Sequence, residues 1–244
     1  MYDALKERQV RPELMDDFTG GGAELREALR HLRRLNRVFR AAAPVLYGVR
    51  QLWEAAGRPE KLTVLDAGAG SGDVNLKLLR WAETAGTELR IILADVTEEA
   101  CAEASVLYRD EPRVEVRRCD VLSLGEGCAD IVTGSQFLHH FDRKELPEVV
   151  RGMLHGARYG VVINDIHRHW IPWAAVWAAS RLLSRNRYIR HDGPLSVTKG
   201  FRAEDWEYLR AELALPAFHC RWMPLFRYAV VIGKPLSCFP EEGE

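Results

Sequence analysis

The sequence predicts an α/β fold: a doubly wound, mainly parallel sheet of seven strands, with a helical N-terminal region and an insert after the fifth strand. Three observations predict it. Five short apolar runs alternate with segments of helical period, the pattern of a parallel sheet covered on both faces. A glycine-rich turn joins the first run to the helix after it. Two more apolar runs flank a proline near the end of the chain and supply a closing hairpin.

Leu25, Leu29, Leu32, Leu35 and Phe39 recur at helical spacing and predict a helix over about 23–40. Arg26, Arg30, Arg33, Arg37 and Arg40 follow the same period on another face. That face reads first as solvated charge, then as a contact with substrate or a partner, and last as a nucleic-acid surface. A second helix is expected over 44–56, with Pro44 in its first turn. Residues 1–56 thus form a helical cap, distinct from a domain over 57–244. In that domain the strands are 62–66, 90–95, 113–120, 129–134 and 159–165, and the intervening helices are 74–82, 98–108 and 143–154. "FHCRWM" and "FRYAVVIG" flank Pro224 and Leu225 and read as an antiparallel pair. The cap and the insert, about 166–200, are both expected over the mouth of the sheet. Open α/β sheets bind ligands there, at the carboxyl ends of their strands.

Composition narrows the function classes. The chain has 244 residues, enough for one large domain. A net charge of −1 gives no general attraction to nucleic acid or to anionic membranes. Cys101, Cys119, Cys128, Cys220 and Cys238 include no CxxC pair, which argues against structural zinc and fits reduced thiols in the cytoplasm. The charged N-terminus has no apolar core of a secretory signal. The longest apolar stretch, Trp170 to Ala179, is too short to span a bilayer.

The chemistry starts at "VLDAGAGSGD", residues 64–73. A strand ends at Asp66; Gly68, Gly70 and Gly72 follow; Val74 opens a helix. Glycine permits positive φ and close approach of backbone to a ligand. A dinucleotide fingerprint would place glycine or alanine at position 73, which is Asp. No Gly-Lys-Ser/Thr follows, so the P-loop pattern fails as well. Asp66 and Asp73 would repel a pyrophosphate, so the ligand carries positive charge or lacks phosphate.

On these residues the sequence resembles the class I S-adenosylmethionine-dependent methyltransferases, over about 62–165 and the closing hairpin. The resemblance implies a Rossmann-like methyltransferase fold, S-adenosylmethionine as cofactor and no metal. It assigns the cofactor to Asp66, Gly68, Ala69, Gly70 and Gly72, to Asp95 and Val96 at the ribose, and to Asp120 and Val121 at the adenine. Ser135 and Gln136, after the fourth strand, are implied to meet the methionine part. The bland alternative for Asp66, Asp95 and Asp120 is capping of the helices that follow.

The acceptor side is less constrained. His139 and His140, in "GSQFLHHFDRKEL", are candidate general bases, or only shape a helix start. Asn164 and Asp165 end the fifth strand and are candidate substrate contacts, with a cap as the alternative for Asp165. His167, Arg168 and His169 follow in a turn that leaves their direction open. Trp170, Trp173 and Trp177 form one stripe of a helix, either core or a wall for a flat substrate. Arg181, Arg185, Arg187, Arg190 and His191 cluster beside it, as solvated charge or as contacts to an acidic or polyphenolic edge. His191, before a turn expected at Asp192-Gly193-Pro194, is a further base candidate. The pattern looks like methyltransferases of aromatic polyketide or quinone pathways, which implies O-methylation of a small secondary metabolite. C- or N-methylation, a protein or RNA acceptor, and a non-catalytic cofactor-binding protein are the alternatives. "SQFL" lacks the [DN]-P-P-[YFW] motif of exocyclic-amine methylation. The oligomeric state is open between a monomer and a homodimer.

Overall fold

The computed structural model describes residues 3–16, 22–215 and 217–235, so Cys238 lies outside the described residues. Among the described residues, seven strands form one sheet in the order β3-β2-β1-β4-β5-β7-β6. They are β1 (Lys61–Ala67), β2 (Glu88–Asp95), β3 (Val114–Arg118), β4 (Ala129–Ser135), β5 (Ala157–Ile166), β6 (Phe218–Met223) and β7 (Arg227–Gly233). β1 to β5 are parallel, and β7 runs antiparallel to both β5 and β6. The strand order reverses between β1 and β4, where open α/β sheets leave a crevice for a ligand.

Helices cover both faces, as the unbroken apolar runs require. On one face lie α3 (Ala42–Ala55), α4 (Leu76–Ala85) and α5 (Glu98–Leu107), packing Val49, Leu52, Leu78 and Ala104 onto Val64 and Ile91. On the other lie α6 (Leu146–Gly156) and α9 (Ala203–Leu213), packing Val150, Met153, Trp206 and Leu209 onto Val132 and Val161. Each fully buried Leu, Ile or Val contributes about 1.5–3 kcal/mol against exposure. α1 (Asp3–Lys6) and a 3-10 turn, Leu14–Asp16, lie in the N-terminal segment.

The structure corrects two expectations of placement. The second N-terminal helix, α3, belongs to the sheet and not to its mouth. Gly48 makes this contact possible, since a Cβ there would sit 2.4 Å from Val162 Cγ1. Of the described N-terminal residues, α2 (Ala23–Val38) and residues 10–16 lie over the mouth, and α2 joins α8 (Arg187–Lys199) in a separate cluster of Ala28, Leu35, Tyr188 and Ile189. The second correction concerns the insert, which folds as two helices, α7 (Trp170–Leu183) and α8. Asp192, Gly193 and Pro194 lie inside α8 and make no turn. Proline there forfeits a helical hydrogen bond. Tertiary contacts outweigh that loss: the Asp192 carboxylate accepts the backbone N–H groups of Leu14 at 2.9 Å and Met15 at 3.0 Å, and Gly193 packs closely on Val176.

Candidate active site

A cavity of about 690 Å³ opens at the carboxyl ends of β1, β2 and β4. The glycine turn forms one end. Gly68, Gly70 and Gly72 have φ of 61°, 56° and 71°, a left-handed path that L side chains avoid. The three glycines differ in what they permit. A Cβ at Gly68 would strike the Phe137 ring and one at Gly72 would strike Leu93, so those two serve packing. A Cβ at Gly70 would meet only Leu29, at 3.9 Å, which leaves bare backbone on the cavity wall. Gly68, Ala69, Gly70 and Ser71 line the cavity.

Four acids line the same end: Asp66, Asp73, Asp95 and Asp120. Asp66 is 1% exposed and accepts Asn75 Nδ2 at 2.6 Å and Thr133 Oγ1 at 2.8 Å. Burial pushes its carboxyl up to about 6, against the pull of those two hydrogen bonds. Asp95 accepts Gly70 N at 2.8 Å and Thr97 Oγ1 at 2.9 Å, and so pins the turn to the end of β2. Asp120 accepts Leu122 N at 2.9 Å and caps the short turn that begins at Val121, as its bland reading foresees. Val96, Val121, Ser135 and Gln136 also line the cavity. Gln136 has φ of 55° and links three elements. It accepts Arg227 Nη2 at 3.2 Å and donates Nε2 to Asn36 Oδ1 at 2.8 Å, and Asn36 donates in turn to Asp73 at 3.2 Å. This acid-rich, glycine-bare end fits a cationic nucleoside and would repel a polyphosphate.

The other end holds a chain of charges of alternating sign. His139 is 3% exposed and lies between two carboxylates, with Nδ1 donating to Asp165 Oδ1 at 2.7 Å and Nε2 3.5 Å from Glu13 Oε1. Burial disfavours its charged form, but the two carboxylates outweigh burial and raise the imidazole to about 9. Against its own burial, Glu13 is held below the usual carboxylate range by the two histidines and Lys199. Lys199 Nζ is 3.2 Å from Glu13 Oε1 and 3.5 Å from Asp16 Oδ2. Asp16 Oδ1 takes His140 Nδ1 at 2.7 Å, and the His140 ring stacks on His139. Glu13, His139 and His140 could share a metal ion, with ligand atoms within 4.8 Å of one another. In this structure Glu13 Oε1 holds the Lys199 ammonium instead. Leu25, Leu29, Leu32, Phe141 and Ile189 supply apolar lining to the cavity.

Several sequence candidates fall outside the cavity lining. Asn164 is fully buried, donating Nδ2 to Ala41 O and Ser135 Oγ, so it supports the loop from below. Asp165 lies behind His139, whose Nδ1 it accepts. His191 is on the outer side of α8, paired with Asp192, and its ring is about half exposed. Arg187 pairs with Glu24 in solvent. Trp170 and Trp177 are 46% and 43% exposed, and Trp173, also outside the lining, shares their helix, so the tryptophan stripe does not wall this cavity. Of the arginine face of α2, Arg30 and Arg33 reach Glu103. Conversely, Glu13, Asp16, Asn36 and Lys199 are site residues that sequence reasoning missed. "RPELMDD" and "VTKG" carry no motif or period that would single them out; only the folding of residues 8–16 across α8 brings them together.

A parallel sheet with a glycine turn at its reversal point, acids on three successive strand ends and an antiparallel β7 is the arrangement that the resemblance to S-adenosylmethionine-dependent methyltransferases implies. Residues 64–160 match the family model described as a methyltransferase domain. Solved structures share the fold. A S-adenosylmethionine-dependent methyltransferase from Aquifex aeolicus is 15% identical with a TM-score of 0.56, over 85% of this chain and 97% of that one. An O-methyltransferase family 2 protein from Planctomyces limnophilus, in complex with apigenin, is 18% identical with a TM-score of 0.52, over 71% of this chain and 51% of that one. The CMeT domain of the citrinin polyketide synthase is 15% identical with a TM-score of 0.52, over 71% and 46%. This chain thus spans about half the length of the latter two. No curated protein matches it in sequence. Among the described residues, no helix is long and apolar enough to cross a membrane.

Proposed function

We propose that the protein transfers a methyl group from S-adenosylmethionine to a hydroxyl of a small, largely apolar acceptor of aromatic or polyketide-like character. One observation carries this reading: the glycine turn and a carboxylate-anchored histidine face a single cavity. The bound cofactor supplies an electrophilic methyl carbon on a sulfonium. The bare backbone at Gly68 to Gly70 and the carboxylates of Asp66 and Asp73 receive its amino-acid part, together with Ser135 and Gln136. Asp95 and Val96 hold the ribose; Asp120 and Val121 hold the adenine.

His140 is the base. His139 has both ring nitrogens committed to carboxylates and is held as a cation, so it has no lone pair to offer. His140 spends one nitrogen on Asp16, which orients the ring and stabilises the imidazolium that forms. The acceptor proton passes to His140 as the oxygen–carbon bond forms and the carbon–sulfur bond breaks. Placing both reactants in one cavity supplies most of the acceleration. The roof made by residues 10–16 and α8 favours a small acceptor over a protein or RNA.

The test is transfer of labelled methyl from S-adenosylmethionine to a panel of phenols, with His140→Gln beside the wild type. The expected result is O-methylated product, and a fall in kcat of about 100-fold or more in the variant. Transfer confined to carbon or nitrogen acceptors, or full activity in His140→Gln, would overturn the reading.

A further inference from the structure

Lys199 is the most deeply buried cation that lines the cavity, at 2% exposed. Its ammonium has three N–H donors and no acceptor. Glu13 Oε1 at 3.2 Å and Asp16 Oδ2 at 3.5 Å pair with its charge. Asp16 is shared: its other oxygen carries His140. One carboxylate therefore sets a donor-only group beside the group that takes the proton. Keeping a buried lysine here carries a desolvation cost that an apolar residue would avoid. Lys199 offsets the charge of buried Glu13, and it does so while also lining the cavity.

We propose that Lys199 binds a second oxygen of the acceptor, next to the hydroxyl that reacts, so that the site selects phenols carrying an ortho oxygen. The inference rests on His140 as the base. The reacting hydroxyl donates to His140, while the adjacent oxygen accepts a Lys199 N–H. The two hydrogen bonds fix the ring in the plane that presents the reacting oxygen. As the proton moves to His140, the ammonium also offsets the negative charge that grows on the acceptor.

The probes are 2-methoxyphenol and 2-ethylphenol, which match in shape and differ by the ortho oxygen. Wild-type kcat/KM is expected to favour 2-methoxyphenol by about tenfold, the weight of one hydrogen bond to a charged donor. Lys199→Met brings the ratio to about one. Because that variant strands Glu13, the double variant Glu13→Gln/Lys199→Met removes both charges and gives the same collapse. Calorimetric affinity for S-adenosylhomocysteine stays at the wild-type value in each and reports a folded cofactor end. Equal wild-type rates on the two phenols overturn the proposal, as does a preference that survives in both variants. No transfer by the wild type to any phenol, with amines or carbon acids methylated instead, overturns the His140 reading first and this one with it.

Discussion

His139 shows how a single residue changes meaning between sequence and structure. In sequence it is one half of a histidine pair beside the methyl donor, and either half could be the base. In the structure it is a buried cation between Asp165 and Glu13. The consequence for stability follows from linkage. Its imidazole is raised from an ordinary 6.5 to about 9, so the folded state binds a proton more tightly than the unfolded chain. The stabilisation is fully present below pH 6.5 and is lost as pH rises through 9. Its size is roughly 3 kcal/mol. Urea midpoints at pH 6 and pH 9.5 are expected to show that loss in the wild type and a clearly smaller one in His139→Asn. Equal losses in the two proteins would remove the buried cation from the account. Asp66 has the opposite character: burial raises its carboxyl to about 6, which weakens the fold at neutral pH in exchange for negative charge beside the glycine turn.

At the scale of elements, the glycine turn and the strands around it were legible, and the insert was not. "VLDAGAGSGD" announces a strand, a left-handed path and a helix start, and all three are present at 61–85. Local chemistry decides such a turn, because only glycine takes positive φ without strain. Its three glycines are separable by experiment. Gly72→Ala places a Cβ 2.5 Å from Leu93 Cδ1 and is expected to lower stability by about 2 kcal/mol or more. Gly70→Ala meets only Leu29, at 3.9 Å, and is expected to cost less stability but to weaken S-adenosylhomocysteine binding by about tenfold or more. Thermal melts and calorimetry on the two variants would show the contrast; the reverse pattern would mean that Gly72, not Gly70, faces the ligand. The Asp-Gly-Pro stretch illustrates the other case. Its turn preference is worth only a kcal/mol or so per residue, and the contacts of Asp192 with residues 14 and 15 outweigh it. The tryptophan stripe at 170, 173 and 177 had the period of a helix, and a helix forms there. Period alone does not say which neighbour a helix turns toward, and this one leaves Trp170 and Trp177 half exposed.

For the whole molecule, the decisive event is the return of the N-terminal segment across the mouth of the sheet. Arg8 clamps it, donating to Lys199 O at 2.8 Å, Phe141 O at 2.8 Å and Leu138 O at 3.3 Å, and its guanidinium lies 4.6 Å over the Phe201 ring. Asp192 holds the same segment from α8. These ties carry Glu13 and Asp16 to residues more than a hundred positions away. Arg8→Ala is expected to loosen residues 8–16, seen as faster amide hydrogen exchange there. In the same variant kcat is expected to fall about tenfold, with S-adenosylhomocysteine affinity held. Unchanged exchange in Arg8→Ala would show that the segment is fixed by other contacts. By itself the sequence determined the parallel sheet, the glycine turn and the acids at the strand ends. Each of these follows from local periodicity, backbone sterics or the few residues around a turn. Only the tertiary structure decided the acceptor end. Glu13, Asp16, His139, His140 and Lys199 belong to three separate segments, and long-range packing, which no short window of sequence encodes, sets their spacing and charge.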